Sequence, residues 1–154
     1  MTLVLPSDRE IVLTRVFAAP RGLVFEAWTR PEHVRQWYGC GEFTLAVCEI
    51  DLRVGGAYRY TMLSPDGAEH TTQGVYREIV PPGRLVYTEQ YVSRGSTSNA
   101  ALVTVLFAEH GGLTTLTSTI LHQSKEDRDG HLDSGMETGA GAVLDRLAQH
   151  LATM

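Results

Sequence analysis

A chain of 154 residues suits one domain and would bury about 70% of the surface its unfolded form exposes, enough for a core without staples. Its 43% hydrophobic and 20% charged residues exclude the disordered, collagenous and coiled-coil classes. A formal charge of −5 with no basic cluster argues against DNA or RNA as partner, since a nucleic-acid interface needs a positive footprint.

No stretch approaches the roughly 18 apolar residues of a membrane span, and residues 1–8 lack the basic start and apolar run of a signal peptide. The expected compartment is the cytoplasm. The two cysteines, Cys40 and Cys48, are too few for a disulfide scaffold and are expected as thiols.

In chain order, Ile11, Leu13 and Phe17 alternate with Glu10 and Thr14, the period of two that marks a strand over 10–17. Pro20 then opens a short helix whose buried stripe is Leu23, Val24, Ala27 and Trp28. Pro31 starts a second one, with Glu32 complementing its dipole and Val34 and Trp37 on one side, and Gly39-Cys40-Gly41 stops it. Six extended segments follow, at 43–52, 57–63, 71–80, 84–92, 101–108 and 113–121. Gly55-Gly56, Pro65-Asp66-Gly67, Pro81-Pro82-Gly83 and Gly111-Gly112 supply the reversals between them, so the sheet is an antiparallel meander of seven strands. The Ser, Thr and Gly-rich link at 93–99 is the expected flexible loop.

Ser124 and Asp127 form a loose capping box that opens the last helical region, with Gly130 as an early interruption. From Leu132, the residues Met136, Ala140, Val143, Leu144, Leu147 and Leu151 make the apolar stripe of one long amphipathic helix, expected over 132–152. The order of elements is α+β, in a single domain over 1–154 with an ordered core of about 9–152.

Several local motifs carry a resemblance. They are Arg15-Val16-Phe17-Ala18-Ala19-Pro20, Phe25-Glu26-Ala27-Trp28-Thr29-Arg30-Pro31-Glu32, Trp37-Tyr38-Gly39 and Glu49-Ile50-Asp51-Leu52-Arg53-Val54-Gly55-Gly56. The run from Gly74-Val75-Tyr76 through Pro81-Pro82-Gly83 to Val86, and Gly135-Met136-Glu137-Thr138-Gly139, complete the set. Together they resemble the family named for the C-terminal domain of the activator of the Hsp90 ATPase, in the START-like or SRPBCC superfamily. The resemblance implies a helix-grip fold, a curved antiparallel sheet wrapped around a long C-terminal helix. Two departures stand out: Tyr38 where many relatives have a second Trp, and Ala140 where the last helix often carries Trp. Both shrink the side chain.

Tyr58, Tyr60 and Met62 share one side of a strand, Gly74 and Tyr76 one side of the next, and Leu85, Tyr87, Glu89 and Tyr91 one side of the third. Such amphipathic rings suit the wall of a mostly apolar pocket; outward-facing rings and plain core filling are the alternatives. Gly135 and Gly139, four apart, would lie on one helix face, where a bare backbone admits either a ligand or close packing on the sheet. Glu89 is the candidate general acid or base, against the reading of a solvent-facing strand Glu. Arg15, and Asp51 with Arg53, are expected in structural ion pairs, with a ligand carboxylate as the alternative. The histidines at 33, 70, 110, 122, 131 and 150 show no metal-ligand spacing, so no metal and no cofactor are expected.

The expected function is binding of a small hydrophobic or amphipathic molecule between sheet and helix. Its expected contacts are Trp37, Tyr58, Tyr60, Met62, Gly74, Tyr76, Tyr87, Glu89, Met136, Gly139, Ala140 and Val143. Cyclases and lyases of the superfamily imply an enzyme rival with Glu89 or a Tyr in an acid–base role. The eukaryotic namesake implies a chaperone-regulating rival, although an Hsp90 homologue is not expected as partner because one domain fills the chain. A homodimer is compatible with the sequence.

Overall fold

Nine strands and four helices form among residues 1–39 and 41–154, which the computed structural model describes. The thiol expected at Cys40 lies outside the described residues; Cys48 is a buried free thiol whose pKa burial raises. The strands are β1 (Thr2–Val4), β2 (Glu10–Phe17), β3 (Thr44–Ile50), β4 (Ala57–Leu63), β5 (Glu69–Val80), β6 (Arg84–Ser93), β7 (Ser96–Thr97), β8 (Ala101–His110) and β9 (Leu113–Leu121). The helices are α1 (Arg21–Thr29), α2 (Pro31–Trp37), α3 (Lys125–Asp133) and α4 (Met136–Leu151).

All strand pairs are antiparallel, in the order β1-β2-β9-β8-β6-β5-β4-β3 with β7 attached to β6. The seven expected strands are therefore present, and two short ones add to them. β1 pairs with β2 through Thr2, Leu3 and Val4, and β7 folds back on β6 across Arg94 and Gly95, which take φ of 50° and 81°. Register shifts between Leu45 and Val47 and between Tyr76 and Glu78 break the ladder, the kind of irregularity that bends a sheet around its contents.

Burial alternates along the strands, and the covered side is the one that faces the helices. On β8, Ala101, Val103, Val105 and Phe107 are buried while Leu102 and Leu106 are exposed; on β9, Thr114, Leu116, Ser118 and Ile120 face in. Phe17, Phe107, Leu116, Val24, Val34 and Leu147 complete a core between the concave sheet and helices α1, α2 and α4. Trp37 pins α2 to α1 by donating from Nε1 to the Ala27 carbonyl at 2.9 Å. Cross-links also tie distant elements: Arg15 Nη1 meets Asp145 Oδ1 at 2.6 Å, joining β2 to α4. The Arg53 Nε to Asp51 Oδ2 contact at 2.8 Å is an ion pair as expected, but it orders the turn after β3 rather than a strand face.

The C-terminal region departs from the expected single helix. Ser124 caps α3 by accepting from the Asp127 amide at 3.1 Å, and Gly130 sits inside α3 without interrupting it. The break falls at Gly135, which caps α4 with φ 83° and ψ 22°. That left-handed conformation cannot continue a right-handed helix, and glycine adopts it without the Cβ clash other residues meet. An apolar stripe reports which face is buried, not where the backbone turns, so the pattern ran through the break. Gly135 and Gly139 consequently do not share one helix face; Gly139 alone lies within α4.

Candidate functional site

The concave sheet face, α2, α3 and α4 enclose a cavity of about 770 Å³, within the range of small-molecule sites. Trp37 from α2, Tyr58, Tyr60 and Met62 from β4, Tyr76 from β5, and Tyr87 and Glu89 from β6 stand in its wall. Met136, Gly139, Ala140 and Val143 come from α4. At Gly139 a Cβ would meet nothing within 4 Å, so this turn of the helix faces open space. The structure thus brings together eleven of the twelve residues that sequence reasoning grouped.

Gly74 is the exception. It is in register with Tyr58, and a Cβ there would stand 1.8 Å from the Thr88 carbonyl oxygen and 2.9 Å from the Tyr58 ring. Its missing side chain lets β6 come close enough for Tyr58 to donate its hydroxyl to that carbonyl at 2.7 Å. Gly74 shapes the wall from behind and does not line it.

The aromatic wall is a connected cluster. Tyr58 lies 5.2 Å from Tyr60, 5.5 Å from Tyr76 and 5.3 Å from Tyr87, centroid to centroid; Tyr38 stands 4.7 Å from Tyr60, and Trp28 5.2 Å from Trp37. Such tilted and edge-to-face pairs are favoured by ring quadrupoles. Burial raises four of these phenols: Tyr76 is pushed up to about 12, and Tyr58, Tyr60 and Tyr87 go further, helped at Tyr58 and Tyr87 by the neighbouring Glu89 carboxyl. These four are neutral at physiological pH.

One end of the cavity is polar. Tyr91 donates its hydroxyl to Glu89 Oε1, His131 Nε2 lies 3.1 Å from the same hydroxyl, and His122 Nε2 lies 3.0 Å from His131 Nδ1. With Tyr91 donating to Glu89, the remaining links run from His131 N–H to the Tyr91 oxygen and from His122 N–H to His131 Nδ1. Burial raises Glu89 above the ordinary carboxylate range, partly opposed by the Tyr91 hydrogen bond. Burial also lowers His131 to about 4, with His122 adding to the effect, and lowers His122. Farther along β5, His70 Nδ1 meets Ser93 Oγ at 2.8 Å, and its buried Nε2 has no hydrogen-bond partner among the described residues.

Sequence reasoning missed His122 and His131 as partners of Glu89. No periodicity links residues 89 and 91 to 122 and 131; the sheet order and α3 do. Trp28, Tyr38 and His70 also enter the wall unannounced. Among the described residues no group of three His, Cys, Asp or Glu is arranged to hold a metal ion, and no helix is long and apolar enough to cross a membrane.

A curved antiparallel sheet closed over a hollow by a C-terminal helix defines a helix-grip domain of the START-like kind. A Rhodobacter sphaeroides protein superposes with a TM-score of 0.91, covering 99% of each chain at 24% identity. A Staphylococcus epidermidis protein gives 0.84 at 26% identity, covering 99% of this chain and 94% of its own. A Mycobacterium smegmatis protein gives 0.87 at 21%, covering 97% and 94%. A search of curated proteins finds no match. The chain belongs to the family of activator of Hsp90 ATPase homolog 1-like proteins, whose profile matches residues 18–152.

Proposed function

We propose that this protein binds a small hydrophobic or amphipathic molecule in the space between sheet and C-terminal helices, as a cytoplasmic single-domain module that needs no metal or cofactor. The observation that carries the reading is the 770 Å³ cavity itself, walled by aromatic faces and ending at Glu89, Tyr91, His131 and His122. A domain optimised only for stability would fill that volume, because unfilled core space costs stability in proportion to its size. The test is native mass spectrometry of the purified protein beside a denatured sample. A stoichiometric mass lost on denaturation supports the reading; an empty protein that also fails to bind apolar fluorescent probes refutes it.

The hydrogen-bonded chain at the polar end favours an enzyme as the second reading. A carboxyl with raised proton affinity, backed by a phenol and two imidazoles, has the chemistry of a general acid or base. A pH–rate profile on a candidate substrate, lost in Glu89→Gln, would separate turnover from binding alone.

A further inference from the structure

The charges of the wall are one-sided. Among the described residues that line it, Glu89, Glu126 and Asp127 carry carboxyls, while no Lys or Arg side chain takes part. We infer that the cavity selects an apolar molecule bearing an organic ammonium group, with Glu89 as its counter-ion and the tyrosine faces as its cage, over one that ends in a carboxylate. This rests on the binding reading above and narrows its ligand class.

The argument is one of desolvation. A charged head taken from water into an aromatic cavity needs a partner of opposite sign or it does not enter. An ammonium finds the Glu89 carboxylate beside the rings of Tyr58 and Tyr87, and ring faces attract cations through their quadrupoles. A carboxylate would meet neutral phenols and, in His131 and His122, imidazoles whose burial keeps them unprotonated at neutral pH. Nearby guanidiniums do not change this. Arg128 is held by Asp129 Oδ1 at 2.8 Å and by the Ser7 carbonyl at 2.7 Å. The Arg146 guanidinium lies near Gly39, which also neighbours Met62, in the sheet row of His70 and Ser93, four residues along β6 from Glu89.

The groups that face Glu89 are the hydroxyls of Tyr91, Tyr87 and Tyr58, with His131 and His122 behind Tyr91 and the carboxyls of Glu126 and Asp127 elsewhere in the same wall. None of them supplies a positive charge at neutral pH that would offset the burial raising Glu89. Where Glu89 is protonated, a permanent cation binds with release of that proton: Glu89–COOH plus ammonium gives the carboxylate–ammonium pair and a proton to buffer.

Three probes with the same apolar tail test this below their micelle concentrations: decyltrimethylammonium, decanoate and decanol. Both tryptophans, Trp28 and Trp37, line the cavity and report binding by fluorescence. At neutral pH the ammonium should bind at least about tenfold tighter than decanoate, and its affinity should rise with pH up to the Glu89 pKa and then level. In Glu89→Gln, checked for folding by circular dichroism, the ammonium-to-decanol affinity ratio should fall by about tenfold or more. If that variant does not fold, the wild-type pH series decides. Decanoate binding as tightly as the ammonium, a ratio unmoved by Glu89→Gln, or decanol alone binding would each overturn the inference while leaving the cavity reading intact. If none of the three probes binds, both fall.

Discussion

Ala140→Trp puts a large ring into the cavity. Ala140 is half-buried on α4, in the wall with Met136 and Val143, one residue beyond the open space at Gly139. A Trp buries on the order of 200 Å², which at about 25 cal/mol per Å² is about 5 kcal/mol in gross terms. The wall is part open at this helix, so about half of that area would leave water, and ordering the side chain costs about 1 kcal/mol. The net expectation is a gain of about 1–2 kcal/mol, seen as a rise of about 3–6 °C in Tm for a chain of this size. Binding of an apolar fluorescent probe should weaken in the same protein, because the ring occupies the probe's space. Calorimetric melts and probe titrations on both proteins check the two halves together. A fall of about 1–3 kcal/mol, the signature of an overpacked core, would show that the space beside Ala140 is not available and would refute the cavity geometry there.

Tyr91→Phe keeps the ring and removes the hydroxyl shared by Glu89 and His131, so two buried groups lose their partner and stability should drop by about 1–3 kcal/mol in denaturant titrations. His131 is lowered to about 4 in the fold against 6.5 unfolded, so its contribution is fully present above 6.5 and is lost as pH falls through about 4. Wild type should therefore lose about 2 kcal/mol more than His131→Gln between pH 7 and 4, allowing for the ring's remaining solvent contact. Glu89 has the opposite sign: its raised pKa gives stability below the unfolded value of 4.5 that is lost as pH rises through the folded value, so Glu89→Gln should gain on wild type with rising pH. Gly74→Ala forces a Cβ within 1.8 Å of the Thr88 carbonyl and should cost about 3 kcal/mol or more, with little folded protein at 37 °C as the readout.

The strands and the two proline-started helices were legible because each obeys a local rule: period two with turn residues between, or proline at a first turn with a stripe behind it. β1 and β7 were not, since three and two residues are too few to display a period. The aromatic wall was legible as a set of shared faces, although alternation alone left open which face was inside; the covering helices settle that. Gly74 was misplaced for a related reason. Sharing a face with Tyr76 assigns it the inward direction, but a residue without a side chain contributes nothing to a wall, and its value lies in the approach of Thr88 from the next strand. The polar chain lay beyond sequence reasoning because its two halves, residues 89–91 and 122–131, meet only once β9 has placed His122 and α3 has turned His131 inward.

The exposed residues of the cavity wall, Ser98, Asn99, Glu126, Gly130, Ser134 and Gly135, gather where the link before β8 approaches α3. That gap is spanned by Asn99 Nδ2 against the Asp127 carboxylate at 3.1 and 3.3 Å, and by Gln123 Nε2 against the Ala100 carbonyl at 3.1 Å. Exposed hydrogen bonds exchange readily with water, so parting them costs far less than disturbing the sheet. On the proposed binding function, occupancy and traffic are governed by different residues. The wall sets how deep the well is, whereas the Asn99–Asp127 clasp sets how high the rim stands. Asn99→Ala would speed arrival and departure alike and leave the dissociation constant where it was. An equilibrium titration would register nothing; residence time, followed by stopped-flow fluorescence of the two tryptophans, would.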